Sequence, residues 1–246
     1  MSVFSRFHKY ASPAIFFDIA ASVIPWLWRL FAISAVLGLI GGLVFAPADY
    51  QQGDSFRIIY VHVPSAWMSL FIYMCMASAG IGSLIWKTKV SDAFARAAAP
   101  IGASFTFLAL VTGMLWGKPM WGTYWVWDAR LTSELILLFL YLGYIALQNA
   151  IEDPRAAARA GAVLAIVGTV NIPIIHYSVE WWNTLHQGPT VSKMDTPSIH
   201  WSMLLPLLIM TVSFMAYFGA LVLQRTQSEL LAMEPRNKWA RERISK

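Results

Sequence analysis

Histidine side chains are the first candidates for chemistry in this sequence of 246 residues. Imidazole is the commonest metal ligand in proteins and the usual axial ligand of haem iron. A lone histidine is more often an ordinary polar residue at an interface. Its position relative to the predicted helices therefore decides how strongly it indicates a metal or haem ligand. The five histidines are His8, His62, His176, His186 and His200.

The second candidate is the segment WGTYWVWDAR at 121–130, which places three tryptophans, a tyrosine, an aspartate and an arginine in ten positions. If this segment is helical, Trp121, Trp125 and Asp128 share one face. Tryptophan and tyrosine also concentrate at membrane–water interfaces without any ligand, which is the plainer interpretation for one or two of them. A continuous run with embedded charges favours a platform for a flat ligand instead. The platform candidates are Trp116, Trp121, Tyr124, Trp125, Trp127 and Asp128.

The composition indicates that these residues are positioned by membrane helices. Hydrophobic residues make up 58% of the chain and charged residues 13%, whereas soluble domains carry roughly 25% charged residues. A spanning helix needs about 20 mostly apolar residues. The N-terminus does not resemble a cleavable signal peptide. We therefore predict an all-α integral membrane protein with one domain, 1–246, and six spans at about 26–46, 63–86, 99–116, 131–149, 161–178 and 201–223.

The basic residues predict the orientation of these spans. Most lysines and arginines fall in the N-terminal segment, two short loops and the C-terminal tail, and the positive-inside rule places these regions in the cytoplasm. They form no contiguous stripe, so we expect no nucleic-acid partner. Both termini are then cytoplasmic, and the outer loops are 47–67, 117–130 and 179–201. The tryptophan-rich segment, 116–130, lies between the third and fourth spans.

This topology gathers four histidines near the outer face: His62, His176, His186 and His200. A zinc site has little support, because Cys75 is the single cysteine and there is no HExxH motif. Imidazoles on separate loops beside an aromatic surface fit a porphyrin better. With no CxxCH motif, such haem would be bound without thioether links.

Charged residues near the outer face have two open interpretations. Arg57 and Arg130 are available for the haem propionates or for structural contacts. Glu134 follows Arg130 by four residues near the start of the fourth span. An acid within a membrane segment is by default functional or paired, and an i,i+4 pair with Arg130 is the plainer alternative.

Three motifs together resemble the CcmC family of haem-handling membrane proteins of cytochrome c biogenesis, the WWD-domain proteins. They are WGTYWVWDARLTSELILLFLYLGY, DYQQGDSFRIIYVHVPSAW and EWWNTLHQG, and the resemblance covers about 25–223. It implies that His62 and His186 are axial ligands of a b-type haem in transit and that the tryptophan-rich segment contacts this haem. His176 and His200 lie outside the ligand motifs and are interpreted as structural.

The resemblance also implies partners and a location. Haem would be delivered to the membrane-anchored chaperone CcmE at the periplasmic face of the bacterial inner membrane. The ABC transporter subunits CcmA and CcmB and the small membrane subunit CcmD would complete the assembly. The sequence has no GxxxxGK[ST] motif, so we expect no ATP hydrolysis and no catalytic turnover by this chain.

Two other classes remain as alternatives. A membrane b-type cytochrome in quinol electron transfer would also use paired histidines, but usually on helices and at depth. A small-solute transporter would have broken helices and polar sites at the midplane. Asn171 and Pro173 in the fifth span are the only hint of that, and a kink explains them.

Overall fold

The computed structural model describes residues 12–182, 184–186, 188, 191 and 196–245. His8 and Lys193 lie outside these residues. Within them six helical segments are long and apolar enough to cross a membrane, which confirms the predicted number of spans. The helices are α1 (Pro13–Ile40, continued by a π-helical turn, Gly41–Phe45), α2 (Ile59–Trp86, preceded by a 3-10 helix, Asp54–Ile58), α3 (Lys89–Trp121), α4 (Ala129–Ala150), α5 (Pro154–Gly168), α6 (Asn171–Trp181), α7 (Trp201–Met233) and α8 (Lys238–Ile244).

The bundle is built on close contacts between small residues and aromatic rings. α2 packs along α3, and α1 packs along α7. On α3 the residues Ala97, Ala98 and Ala99 are fully buried, and Gly102 leaves space that the ring of Tyr141 on α4 fills. Small residues let the backbones of neighbouring helices come close together. In lipid this matters because van der Waals packing, and not the hydrophobic effect, favours association of the helices.

Several spans are longer than the sequence predicted. The first begins at Pro13 and not near 26, because Pro25 is accommodated inside α1. The second begins with the turn at Asp54, since Pro64 lies within the second turn of α2. His62 therefore sits on a helix and not before it. The last span continues to Met233, ten residues beyond the predicted end.

The third span ends at Trp121 and not at 116. Pro119 lies inside α3, where only the last turn follows it. Gly122 ends the helix with φ of 76°, a left-handed conformation that glycine adopts without strain. The predicted shared helical face of Trp121, Trp125 and Asp128 is therefore wrong, because Gly122 separates Trp121 from the other two.

The fifth span is two helices, α5 and α6, separated at Thr169 and Val170. Pro173 has no N–H to donate to the Thr169 carbonyl, and that carbonyl accepts from Ile172 N at 3.0 Å instead. The buried Asn171 amide donates to the Ser133 carbonyl of α4 at 2.9 Å. Asn171 thus binds the neighbouring backbone, which supports the structural interpretation of this break.

Candidate functional site

A cavity of about 170 Å³ opens at one end of the bundle. It lies where α2 and α4 begin and where α3 and α6 end. Its wall contains three histidines (His62, His176 and His186), the aromatic residues Phe56, Trp67, Trp116 and Trp121, and the charged residues Arg130 and Glu134. The volume is below the roughly 300–1,000 Å³ of typical small-molecule pockets. The described residues would therefore enclose only part of a large flat ligand.

His62 is held from two sides by α3. Its Nδ1 lies 3.1 Å from the Ala109 carbonyl oxygen and 3.0 Å from Thr112 Oγ1. Because a carbonyl can only accept, this contact assigns the proton to Nδ1 and leaves Nε2 with a free lone pair. Gly113 makes room for the ring, since a Cβ there would lie 3.1 Å from His62 Cε1. His62 thus has the tautomer and support typical of a metal-binding histidine.

His186 reaches the same cavity from the segment between α6 and α7. Its backbone N–H donates to Thr184 Oγ1 at 2.8 Å. Its Nδ1 lies 3.4 Å from Asp128 Oδ2, and its ring packs 4.8 Å from the ring of Trp121 in an edge-on arrangement. A carboxylate behind Nδ1 again leaves Nε2 as the coordinating atom.

Asp128 connects this histidine to the start of α4. It is the N-cap residue, and its Oδ1 accepts from the Leu131 N–H at 2.8 Å. Burial alone would raise the pKa of Asp128, but hydrogen bonds from His186, the Leu131 N–H and Thr184 outweigh it and lower the pKa to about 2. Asp128 is therefore ionised at neutral pH.

The tryptophan-rich segment divides between the cavity and the surface. Trp116 and Trp121 line the cavity. Trp116 packs 5.6 Å from the His62 ring and donates from Nε1 to Gln52 Oε1 at 2.9 Å. Gly117 gives Trp121 its place, because a Cβ there would lie 2.9 Å from the indole. The structure does not bring the other predicted platform aromatics to the wall.

Those other aromatics pack among themselves or face outward. Trp125 and Trp127 contact each other at 5.3 Å, and Trp127 is 78% exposed. Tyr124 lies beneath the Lys118 ammonium at 5.2 Å. The exposed positions of Tyr124 and Trp127 are typical of the interfacial belt that was the plainer interpretation of the segment, whereas the Nε1 atom of Trp125 is buried.

Only one of the two candidate arginines lines the cavity. Arg130 lines the cavity and donates from Nη1 to the Ile175 carbonyl at 3.0 Å. Arg57 is not among the residues of the wall, because its Nε contacts Asp54 at 2.9 Å and its Nη1 donates to the Gly42 carbonyl at 2.8 Å. That carbonyl belongs to the π-helical turn after α1, so the structure gives Arg57 a helix-capping contact.

The cavity contains residues that the sequence interpretation missed or left aside. Trp67 and Gln52 were missed, because neither stands out from the apolar and polar runs around it. His176, interpreted as structural, lines the wall, whereas His200 caps α7 through Ser202 N–H at 3.3 Å and does not. His176 lies near the outer end of the predicted fifth span, and this position was the sequence signal that could have identified it as a cavity residue.

The cavity wall does not resemble a zinc site. Among residues 12–182 and the later described positions, no group of three or more His, Cys, Asp or Glu is placed to hold a metal ion. Two imidazoles with free Nε2 atoms, three indoles and one guanidinium are instead suited to a flat, anionic, metal-containing ligand.

The sequence is similar to one protein family along most of its length. The sequence model of the family described as "Heme exporter protein C" matches residues 6–241. "Heme exporter protein C" of Escherichia coli K12 is 52% identical over 239 residues, covering 97% of this chain and 96% of the relative. The protein of that name from Bradyrhizobium diazoefficiens is 50% identical, covering 92% and 86%. A "putative cytochrome c biosynthesis ccmC-like mitochondrial protein" of Marchantia polymorpha is 46% identical, covering 88% and 90%.

Proposed function

We propose that this chain, which belongs to the heme exporter protein C family, binds haem in the cavity and delivers it to a membrane-anchored haem chaperone during cytochrome c maturation. One observation carries the proposal: His62 and His186 line the same cavity, and the Nδ1 of each faces an oxygen acceptor. Both Nε2 atoms would then be free to hold the iron of a haem bound in the cavity.

The rest of the wall fits haem as a cargo. Trp116 and Trp121 each pack edge-on against one of the two histidines, so apolar ring surface adjoins both ligand positions. Arg130 has guanidinium donors beyond the one given to Ile175, and these suit a propionate. The haem would be b-type, held by coordination and packing without covalent links.

The position of the cavity suits delivery to an acceptor. It opens at one end of the bundle, so a chaperone could reach bound haem from that end. The chaperone CcmE would take the haem at this end of the bundle, which we place at the periplasmic face of the inner membrane. CcmA and CcmB would supply ATP-driven work, and CcmD would associate in the membrane. The chain itself would act without turnover.

A quinol-oxidising cytochrome receives less support from the same geometry. His62 and His186 adjoin one end of the bundle, and no paired histidines lie deeper in the described helices. Within the described residues, this arrangement supports a single haem near one end of the bundle better than two haems at different depths.

Transfer of haem tests the proposed function. The chain would be produced in cells with the chaperone, and covalent haem on the chaperone would be measured by haem staining after denaturing electrophoresis. We expect the signal with the wild-type chain and its loss with His62→Ala or His186→Ala. His200→Ala, which removes a histidine outside the cavity, is the matched control. Equal chaperone haem with and without this chain would contradict the proposal.

A further inference from the structure

Thr112 is a buried polar residue of α3 that contacts His62 and to which the sequence interpretation assigned no role. Thr112 is 8% exposed, and its Oγ1 lies 3.0 Å from Nδ1 of His62. It is not among the residues of the cavity wall. Any effect of Thr112 on a ligand in the cavity would therefore pass through the His62 ring.

The position of the Thr112 hydroxyl proton follows from the neighbouring turn of α3. Oγ1 lies 2.6 Å from the Leu108 carbonyl oxygen and 3.2 Å from the Ala109 carbonyl oxygen. A threonine hydroxyl has one proton to donate and two lone pairs that accept, whereas a carbonyl oxygen only accepts. The short contact therefore assigns the proton to the Leu108 carbonyl, because without it two acceptor oxygens would face each other at 2.6 Å. The lone pairs of Oγ1 remain for His62.

The Nδ1–H group of His62 then has two acceptors on one turn of α3. They are Thr112 Oγ1 at 3.0 Å and the Ala109 carbonyl oxygen at 3.1 Å. One N–H shared between two acceptors in this way is a three-centre hydrogen bond. If the Thr112 hydroxyl donated to Nδ1 instead, Nε2 would carry the ring proton and could not bind a metal. The Thr112 oxygen thus supports the tautomer whose Nε2 is able to coordinate iron.

We propose that Thr112 is a positioning residue for haem coordination: its hydroxyl oxygen accepts the His62 Nδ1–H and holds the imidazole with Nε2 unprotonated. This inference rests on the proposed haem binding. Loss of a hydrogen-bond partner behind a metal-bound histidine usually lowers metal affinity by about 10–100-fold. The Ala109 carbonyl would remain as an acceptor without the hydroxyl. We therefore expect removal of the hydroxyl to weaken haem binding by about tenfold, the lower end of that range.

Haem titration of the purified full chain, followed by its absorption spectrum, tests this role. Thr112→Ala and Thr112→Ser differ only in the hydroxyl group. Thr112→Ser should bind haem with an affinity near that of the wild type, and Thr112→Ala should bind it about tenfold more weakly. Thr106→Ala is the matched control, because it removes a fully buried hydroxyl of α3 that donates within its own helix, to the Gly102 carbonyl at 2.8 Å. This control should keep the wild-type affinity.

The tautomer of His62 can be measured without haem, by ¹⁵N NMR of the protein labelled at histidine. The His62 signals are identified by their absence from the spectrum of His62→Ala. We expect a protonated Nδ1 and an unprotonated Nε2 in the wild type and in Thr112→Ser. A proton on Nε2 in the wild type would overturn the inference.

Three results of the haem titration would also overturn it. They are an equal affinity in Thr112→Ala and the wild type, an equal loss in Thr112→Ala and Thr112→Ser, and a comparable loss in Thr106→Ala. Failure of Thr112→Ala to fold would have the same consequence, because Thr112 would then be structural. A wild-type chain that binds no haem would instead refute the proposed function, and the NMR measurement would still decide whether Thr112 accepts from His62.

Discussion

Asp128 Oδ2 lies 3.4 Å from Nδ1 of His186, and the same carboxylate caps α4. The tryptophan-rich segment is thus joined to the loop that carries a proposed haem ligand, across 58 residues of sequence. Capping and ligand orientation share one side chain, and substitutions can separate the two roles.

Two substitutions of Asp128 should separate its helix-capping role from its role in orienting His186. Asn remains a good N-cap, so Asp128→Asn should keep the cap on α4 but lose the stabilising charge that faces His186, and it should weaken haem affinity by about 10–100-fold, the usual effect of losing a partner behind a metal ligand. Asp128→Ala should lose about 1 kcal/mol of unfolding free energy in addition. Haem titration and thermal unfolding measure the two effects.

Asp153 offers a matched control, since it caps α5 through Ala156 N at 2.8 Å and is not part of the cavity wall. Asp153→Ala should cost similar stability with no loss of haem affinity. Equal haem affinity in Asp128→Asn and the wild type would refute the positioning role.

The lowered pKa of Asp128 predicts a specific pH dependence. A folded-state pKa of about 2, below the usual 3.8, means that ionised Asp128 stabilises the fold above about pH 4 and that this contribution is lost as pH falls toward 2. The stability difference between the wild type and Asp128→Asn should therefore be constant from pH 5 to 7 and shrink below pH 4. A difference that already declines near pH 6 would contradict this pKa.

The glycines facing the cavity should be sensitive to a single methyl group. Gly113→Ala places Cβ 3.1 Å from His62 Cε1, so the ring must shift. Overpacking of this kind costs about 1–3 kcal/mol, and we expect it to appear as reduced haem content and an altered Soret band. Gly143→Ala, whose nearest neighbour would be 3.9 Å away, is the control. Identical spectra for both variants would show that His62 does not need this space.

Two tryptophans of the same segment should differ in haem binding. Trp121 packs on His186 in the cavity, whereas Trp127 is exposed. Trp121→Phe should lose about 1 kcal/mol, or roughly fivefold in haem affinity, through the weakened ring contact. Trp127→Phe should bind haem as the wild type does. Comparable losses at both positions would restore a continuous platform.

The sequence predicts the number of spans well, because apolar length alone determines whether a segment can cross a membrane. Span ends were less predictable. The first three helical segments extend beyond their predicted bounds and contain Pro25, Pro64 and Pro119. The left-handed Gly122, which divides the tryptophan-rich segment, depends on chain path and not on composition.

The candidate site was predictable only in part. His62, His186, Trp116, Trp121 and Arg130 all line one cavity. The contacts that position cavity residues join segments that are distant in sequence. Glu134 contacts Ser69 across 65 residues, and Arg130 contacts Ile175 across 45. Such contacts follow from helix packing, which local spacing does not encode.

The most direct test of the account is the absorption spectrum of the purified protein with each proposed ligand removed. His62→Ala and His186→Ala should each lose haem or convert a low-spin, bis-histidine spectrum to a five-coordinate one. His200→Ala should keep the wild-type spectrum and haem content. Unchanged haem content and spectrum in both His62→Ala and His186→Ala would contradict the central claim that these residues coordinate haem.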